Sequence, residues 1–126
     1  MDNKSCTIYK GEIFTLEWYY DKTGKSVAKE FYQKTSTELQ KKFLVLAKRM
    51  GDSGKIFDKT KFRYEGDNIY AFKPQADRYL SFFTIGKKII VTKGFKKETE
   101  KLPKNEKDFA LRCRQEYLDR KNGGKK

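Results

Sequence analysis

No histidine occurs among the 126 residues. Its absence removes the commonest general base at neutral pH and the commonest zinc ligand. Cysteine is scarce: Cys6 and Cys113 lie far apart with no Cys-x-x-Cys spacing. They cannot complete a structural zinc site, and they read as two reduced thiols rather than a disulfide framework. No apolar run reaches the ~18 residues that a membrane span needs, and the polar N-terminus lacks a signal-peptide core. A soluble, cytoplasmic chain with no membrane partner is therefore expected. Acidic residues are few, 17 against 30 lysines and arginines, for a net charge of +13 and a pI near 9.7. Such an excess points to nucleic acid, an anionic surface or an acidic partner, and by itself does not choose among them.

The length fits one domain over residues 1–126, large enough to bury a core without disulfides or metals. Residues 12–20 alternate, with Phe14, Leu16, Trp18 and Tyr20 pointing one way, which predicts a half-buried strand; Phe14 and Trp18 are assigned to the core. Residues 21–25 form a turn. Ser26 is placed to cap a helix with Val27, Ala28 and Phe31 inside. Thr35 and Glu38 have capping-box spacing ahead of Leu39, Phe43, Leu46 and Met50, and Gly51 is expected to end that helix. After a loop over 51–60, residues 62–65 and 69–73 read as strands around a Gly66-Asp67-Asn68 turn, with Pro74 stopping the second. Residues 79–84 and 88–93 form the clearest hairpin, through Ile85-Gly86-Lys87. Pro103 and Asn105 open a last helix with Phe109, Ala110, Cys113 and Tyr117 as its apolar stripe. Residues 122–126 are expected to be a disordered basic tail. The class is α+β: early helices on one face of a twisted, mainly antiparallel sheet, the other face partly open.

Three stretches resemble the RelE/HigB superfamily of bacterial toxins, in its HigB-like, phage-derived branch. They are Ile69-Tyr70-Ala71-Phe72-Lys73, then Asp77-Arg78-Tyr79-Leu80-Ser81-Phe82-Phe83, then Gly94-Phe95-Lys96-Lys97-Glu98-Thr99-Glu100-Lys101-Leu102-Pro103. The resemblance covers roughly 40 residues. It implies the toxin of a type II toxin–antitoxin system, a ribosome-dependent endonuclease that cuts messenger RNA. Attack of a ribose 2′-hydroxyl on the adjacent phosphodiester requires no metal or other cofactor. The implied partners are a cognate antitoxin of the helix-turn-helix DNA-binding type, the ribosome and mRNA.

The in-line transition state gathers negative charge on the phosphate, and a preorganised guanidinium offers it two parallel hydrogen bonds. Arg78 matches the family's phosphate-binding arginine; on its own, beside Asp77, it reads as half of a surface ion pair. Lys97 matches a second catalytic cation, with Lys96 as its alternate; in isolation such a pair reads as a solvated face. Lys73 falls where the family often has a strand-terminal arginine. Lys93 and Lys101 complete the candidate phosphate contacts, Lys93 sharing strand parity with Ile89 and Val91. Exposed rings can stack on bases, which makes Tyr79 and Phe95, with Tyr64 and Tyr70, candidate platforms.

The general base stays open among a lysine of lowered pKa (Lys73, Lys96 or Lys97), Glu98 and a tyrosine. The family tyrosine after the last cation is replaced here by Pro103, and Ala71 stands where the family has a strand lysine. Two other classes therefore remain: a non-catalytic toxin of the same fold that inhibits a protein such as gyrase, and a plain basic nucleic-acid-binding module.

Overall fold

A computed structural model describes residues 6–99 and 101–123. The alternation over 12–20 yields a shorter strand than expected. Strand β1 (Thr7–Lys10), which the sequence did not announce, pairs antiparallel with β2 (Thr15–Trp18). Helix α1 (Val27–Lys34) starts where Ser26 predicts, its hydroxyl accepting from the Lys29 N–H at 3.2 Å. Helix α2 (Thr37–Ser53) is capped one residue later than the capping-box spacing indicated, by Ser36, which accepts from the Leu39 N–H at 3.2 Å. Thr35 instead closes α1, its hydroxyl donating to the Tyr32 carbonyl at 2.7 Å.

Gly51 does not stop α2, which runs on to Ser53 and ends at Gly54 with φ 79°. Gly51 serves packing. Its carbonyl accepts the N–H groups of Ile13 and Phe14 at 2.7 and 2.9 Å. A Cβ on Gly11 would fall 2.2 Å from the Gly51 carbonyl carbon. The missing side chains let the β1–β2 turn lie directly on the helix backbone.

The remaining elements are β3 (Phe62–Tyr64), β4 (Tyr70–Phe72), β5 (Asp77–Phe83), β6 (Lys88–Lys96) and α3 (Lys104–Gly123). The expected hairpin is present and longer than predicted. The six strands form one open sheet in the order β1-β2-β6-β5-β4-β3, antiparallel except where β2 meets β6. The two helices α1 and α2 pack on one face, around Leu16, Trp18, Phe43, Met50, Phe72, Tyr79, Ile89 and Val91. Helix α3 packs on the other, over Tyr19, Ile69, Ala71, Leu80, Phe82 and Ile90. The fold is α+β, as the periodicities indicated.

The second face is more covered than expected. Side chains along α3 fasten it to the sheet side: Lys93 to Glu106 at 2.6 Å, Lys107 to Asp67 at 2.9 Å, and the Tyr19 hydroxyl to Glu116 at 2.6 Å. Arg120 adds a pair of hydrogen bonds to Glu116 and one to the Tyr20 carbonyl. Of the expected tail, Asn122 and Gly123 are the end of α3, and 124–126 lie outside the described residues. Among the described residues no helix is long and apolar enough to cross a membrane.

Candidate functional site

At the end of the sheet where α3 begins, a narrow cleft opens to solvent. Its apolar lining is Ala71, Leu80, Phe95, Leu102 and Pro103. Among the described residues five cations line it, Arg63, Lys73, Arg78, Lys97 and Lys101, together with the carboxylates Glu65 and Glu98. Of the residues named from sequence, the structure thus brings together Arg78, Lys97, Lys73, Lys101 and Phe95.

Strand register explains the gathering. Arg78 stands opposite Phe95, and Leu80 opposite Lys93. Lys73 follows the Phe72–Tyr79 pair by one position, so it stands opposite Arg78. Side chains of one strand alternate between faces, so Arg78 and Leu80 share the α3 face while Asp77 and Tyr79 point to the other. The ion pair imagined between Arg78 and Asp77 is therefore not the arrangement adopted: the Asp77 carboxylate meets Lys96 at 3.3 Å instead.

A β-bulge selects the second lysine. The ladder pairs Leu80 with Lys93 and Ser81 with Val91, leaving Thr92 as the extra residue of β6. The Thr92 hydroxyl, fully buried, donates to the Leu80 carbonyl at 2.9 Å. One inserted residue inverts parity downstream. Lys93, Phe95 and Lys97 thereby turn to the α3 face, and Gly94 and Lys96 to the α1 face.

Two expectations are corrected by this inversion. Lys93 does not share a face with Ile89 and Val91; it is held by Glu106 and lies 4.9 Å from the centre of the Phe109 ring, away from the cleft lining. Lys96 points away from Arg78 and covers a buried carboxylate. Tyr79 is corrected as well: it is 1% exposed, stacked on Phe43 at 4.2 Å between ring centres, and out of reach of a base. Tyr64 and Tyr70 pack on one another, and neither ring lines the cleft. Phe95 is the one of the four that lines the cleft.

The cleft cations are anchored through backbone. Arg78 Nη1 donates to the carbonyls of Gln75 and Asp77 at 2.6 and 2.8 Å. Gln75 adopts φ 58° in the β4–β5 turn, which places its carbonyl under the guanidinium. Lys73 Nζ donates to the Lys59 carbonyl at 3.1 Å. The Lys97 N–H donates to the Ala76 carbonyl at 2.7 Å, extending the β5–β6 ladder. Burial first, then Arg78, Arg63 and Lys97 nearby, hold the Lys73 amine below the usual lysine range, partly offset by Glu65. Such a site is arranged to accept anionic oxygens, with a guanidinium for bidentate contact and amines as point charges.

Sequence reasoning missed Arg63 and Glu65. Their signal was present in the Arg63–Ala71 and Tyr64–Tyr70 pairing across the 66–68 turn, because a residue opposite Ala71 must share the face of Lys73. Among the described residues no group of three or more cysteines, aspartates or glutamates is placed to hold a metal ion.

The family model described as phage-derived protein Gp49-like (DUF891) matches residues 29–115, more than half of the chain. The chain belongs to the Gp49-like family. This is a RelE/HigB-like toxin family, associated with the toxins of toxin–antitoxin pairs, so an antitoxin is the partner the family indicates. No curated protein matches the chain. The match begins inside α1 and ends inside α3. In this Gp49-like chain it therefore spans every cation of the cleft, whereas β1 and β2 lie outside it.

Proposed function

We propose that the protein is a toxin that cuts messenger RNA in the ribosome, with the cleft around Arg78 as its active site. The observation that carries this reading is the convergence of Arg63, Lys73, Arg78, Lys97 and Lys101 on one cleft beside Phe95. Clustered cations repel one another, and a surface that keeps them together is matched to a polyanion.

In the proposed reaction a ribose 2′-oxygen attacks the adjacent phosphorus in line with the departing 5′-oxygen. Arg78 and Lys97 stabilise the added charge on the non-bridging oxygens, Arg78 as a fork and Lys97 as a point charge. Lys73, with its lowered proton affinity, takes the 2′-hydroxyl proton as the 2′-oxygen–phosphorus bond forms. A protonated group or water supplies a proton to the 5′-oxygen as its bond breaks. The products are a 2′,3′-cyclic phosphate and a 5′-hydroxyl end. Phe95 offers a ring for the base beside the scissile phosphate, a contact worth roughly 1–3 kcal/mol.

The test is induced expression of wild type and Arg78→Ala, with mapping of RNA 5′ ends in translating cells. New ends inside reading frames, absent in the folded mutant, support the nuclease and its site. Growth arrest without new ends would redirect the reading to a toxin acting on a protein. A folded Arg78→Ala variant of full toxicity would remove Arg78 from the site.

A further inference from the structure

The cation row does not stop at Lys73. The Lys73 N–H donates to the Lys61 carbonyl at 2.8 Å. This bond continues the β3–β4 ladder, in which Phe62 faces Phe72, by one residue, and sets Lys61 opposite Lys73. Read across the sheet, the row is Lys61, Lys73, Arg78 and Phe95. Neighbouring strands lie about 4.8 Å apart, so two steps separate Lys61 from Arg78 by roughly 10 Å along the row.

Like charges directly opposite one another destabilise a sheet, and here the arrangement occurs twice in succession. A lysine on an edge strand is commonly explained as protection against edge pairing. That role needs no second and third cation aligned beside it. Lys61 is exposed, and β3 is the outer strand of the sheet, so the row runs from the cleft to an open edge. The carboxylate nearest in sequence, Asp58, is occupied by the Thr60 N–H and hydroxyl at 2.9 and 2.6 Å, with Lys61 also lowering its proton affinity.

We infer that Lys61 binds a phosphate flanking the one held by Arg78, so that single-stranded RNA leaves the cleft across the β3 edge. This rests on the cleft being an RNA site. It assigns the direction in which the strand runs over the protein and adds a contact outside the cleft lining. Lys61 takes part in holding the strand and not in bond breaking.

The experiment is fluorescence anisotropy with a labelled single-stranded RNA of about ten nucleotides, within the usual span of such sites, titrated at several salt concentrations. Lys61→Gln is compared with wild type, with Arg78→Ala, and with Lys10→Gln. The last removes the same charge from β1, an exposed position on the opposite edge of the sheet. Losing one phosphate contact should flatten the dependence of log K on log salt by about 0.7. An exposed pair of this kind should weaken low-salt binding by roughly fivefold, with Lys10→Gln staying within about twofold of wild type. Equal affinity and slope for Lys61→Gln and Lys10→Gln, with Arg78→Ala still defective, overturns the edge path and leaves the cleft assignment standing. Failure of the wild type to bind the free RNA at all overturns the edge path, and the cleft assignment is then decided by the 5′-end mapping in translating cells.

Discussion

Adjacent lysines Lys96 and Lys97 look interchangeable in sequence, and the structure gives them opposite roles that mutation can separate. Lys97 lines the cleft. Lys96 lies across the sheet, 3.3 Å from a carboxylate that is 1% exposed. That carboxylate, Asp77, already has one oxygen without a hydrogen-bond partner. Replacing Lys96 with methionine keeps most of the apolar stem and removes the cation on the other oxygen. A buried group left unsatisfied costs about 1–3 kcal/mol, and breaking a fully buried ion pair costs more. Lys96 is itself 62% exposed, so water can replace part of what it supplies, and the lower range applies. We expect Lys96→Met to lose about 2 kcal/mol, a fall of roughly 8 °C in melting temperature for a chain of this size, with the cleft intact. Lys97→Met should stay within about 0.5 kcal/mol of wild type in stability and lose RNA cleavage. Urea unfolding gives the first quantity, and RNA 5′-end mapping under matched soluble expression gives the second. Changing Asp77 to Asn in the Lys96→Met background should restore part of the stability, because a neutral amide is cheaper to bury than a carboxylate. The reasoning fails if Lys96→Met is as stable as wild type and inactive, or if Lys97→Met cuts RNA normally.

Three further outcomes are expected. Lys73→Arg keeps the charge but holds its proton at every working pH, so cleavage should be lost while RNA binding persists. Wild-type cleavage should rise with pH and level off below the ordinary lysine range, following the direction of the Lys73 shift; a Lys73→Arg enzyme of normal rate would make Lys73 a charge and nothing more. Glu116 has its carboxyl held below the usual range, chiefly by Arg120 and also by the Tyr19 hydroxyl. A depressed carboxylate stabilises the fold above its unfolded pKa, and that contribution drains away as pH falls through the folded one. Glu116→Gln should therefore be less stable than wild type by roughly 1 kcal/mol at neutral pH, the gap closing in acid below about pH 4; parallel urea titrations at both pH values read it, and a constant gap refutes it. Gly94→Ala would put a Cβ 2.5 Å from a Phe31 ring carbon and 2.9 Å from one of Tyr79. Overpacking of that kind costs about 1–3 kcal/mol, and a thermal melt equal to wild type would show that α1 yields freely.

Long periodic elements were legible because their signals are local. The Ser26 cap, the Phe43–Leu46–Met50 face and the two strands around Gly86 need only neighbouring residues to be read. The misplaced boundaries come from longer-range contacts. Gly51 has the residue type of a helix end, yet its carbonyl and bare Cα carry the β1–β2 turn, a contact between segments about 40 residues apart. Strand β1 has two partly buried apolar residues, Ile8 and Tyr9, too few to display a period. In the cleft, Arg78, Lys73 and Lys97 came from the family resemblance, whereas Arg63 required the register of an adjacent hairpin. Tyr79 failed as a stacking platform because alternation along β5 sends it inward when Arg78 faces the cleft.

The bulge at Thr92 decides which cations meet, and the core dictates the bulge. On the early part of β6, Ile89 and Val91 must face the helices α1 and α2 and Ile90 must face α3. On its later part, the position against Phe31 and Tyr79 has no room for a side chain, so Gly94 must face α1. Without an extra residue, strict alternation from Val91 would turn residue 93 toward α1 and Gly94 toward α3. Both demands can be met only if one residue is inserted between them. Threonine suits the place: its β-branched side chain tolerates extended backbone, and its hydroxyl supplies the Leu80 carbonyl with a donor where the ladder is broken. The consequence reaches the chemistry. With the bulge, Phe95 and Lys97 join Arg78 over the cleft and Lys96 is diverted to Asp77; without it, Lys96 would face the cleft and Lys97 would lie on the α1 face. The identity of the second cleft cation is thus set by apolar packing some five residues upstream.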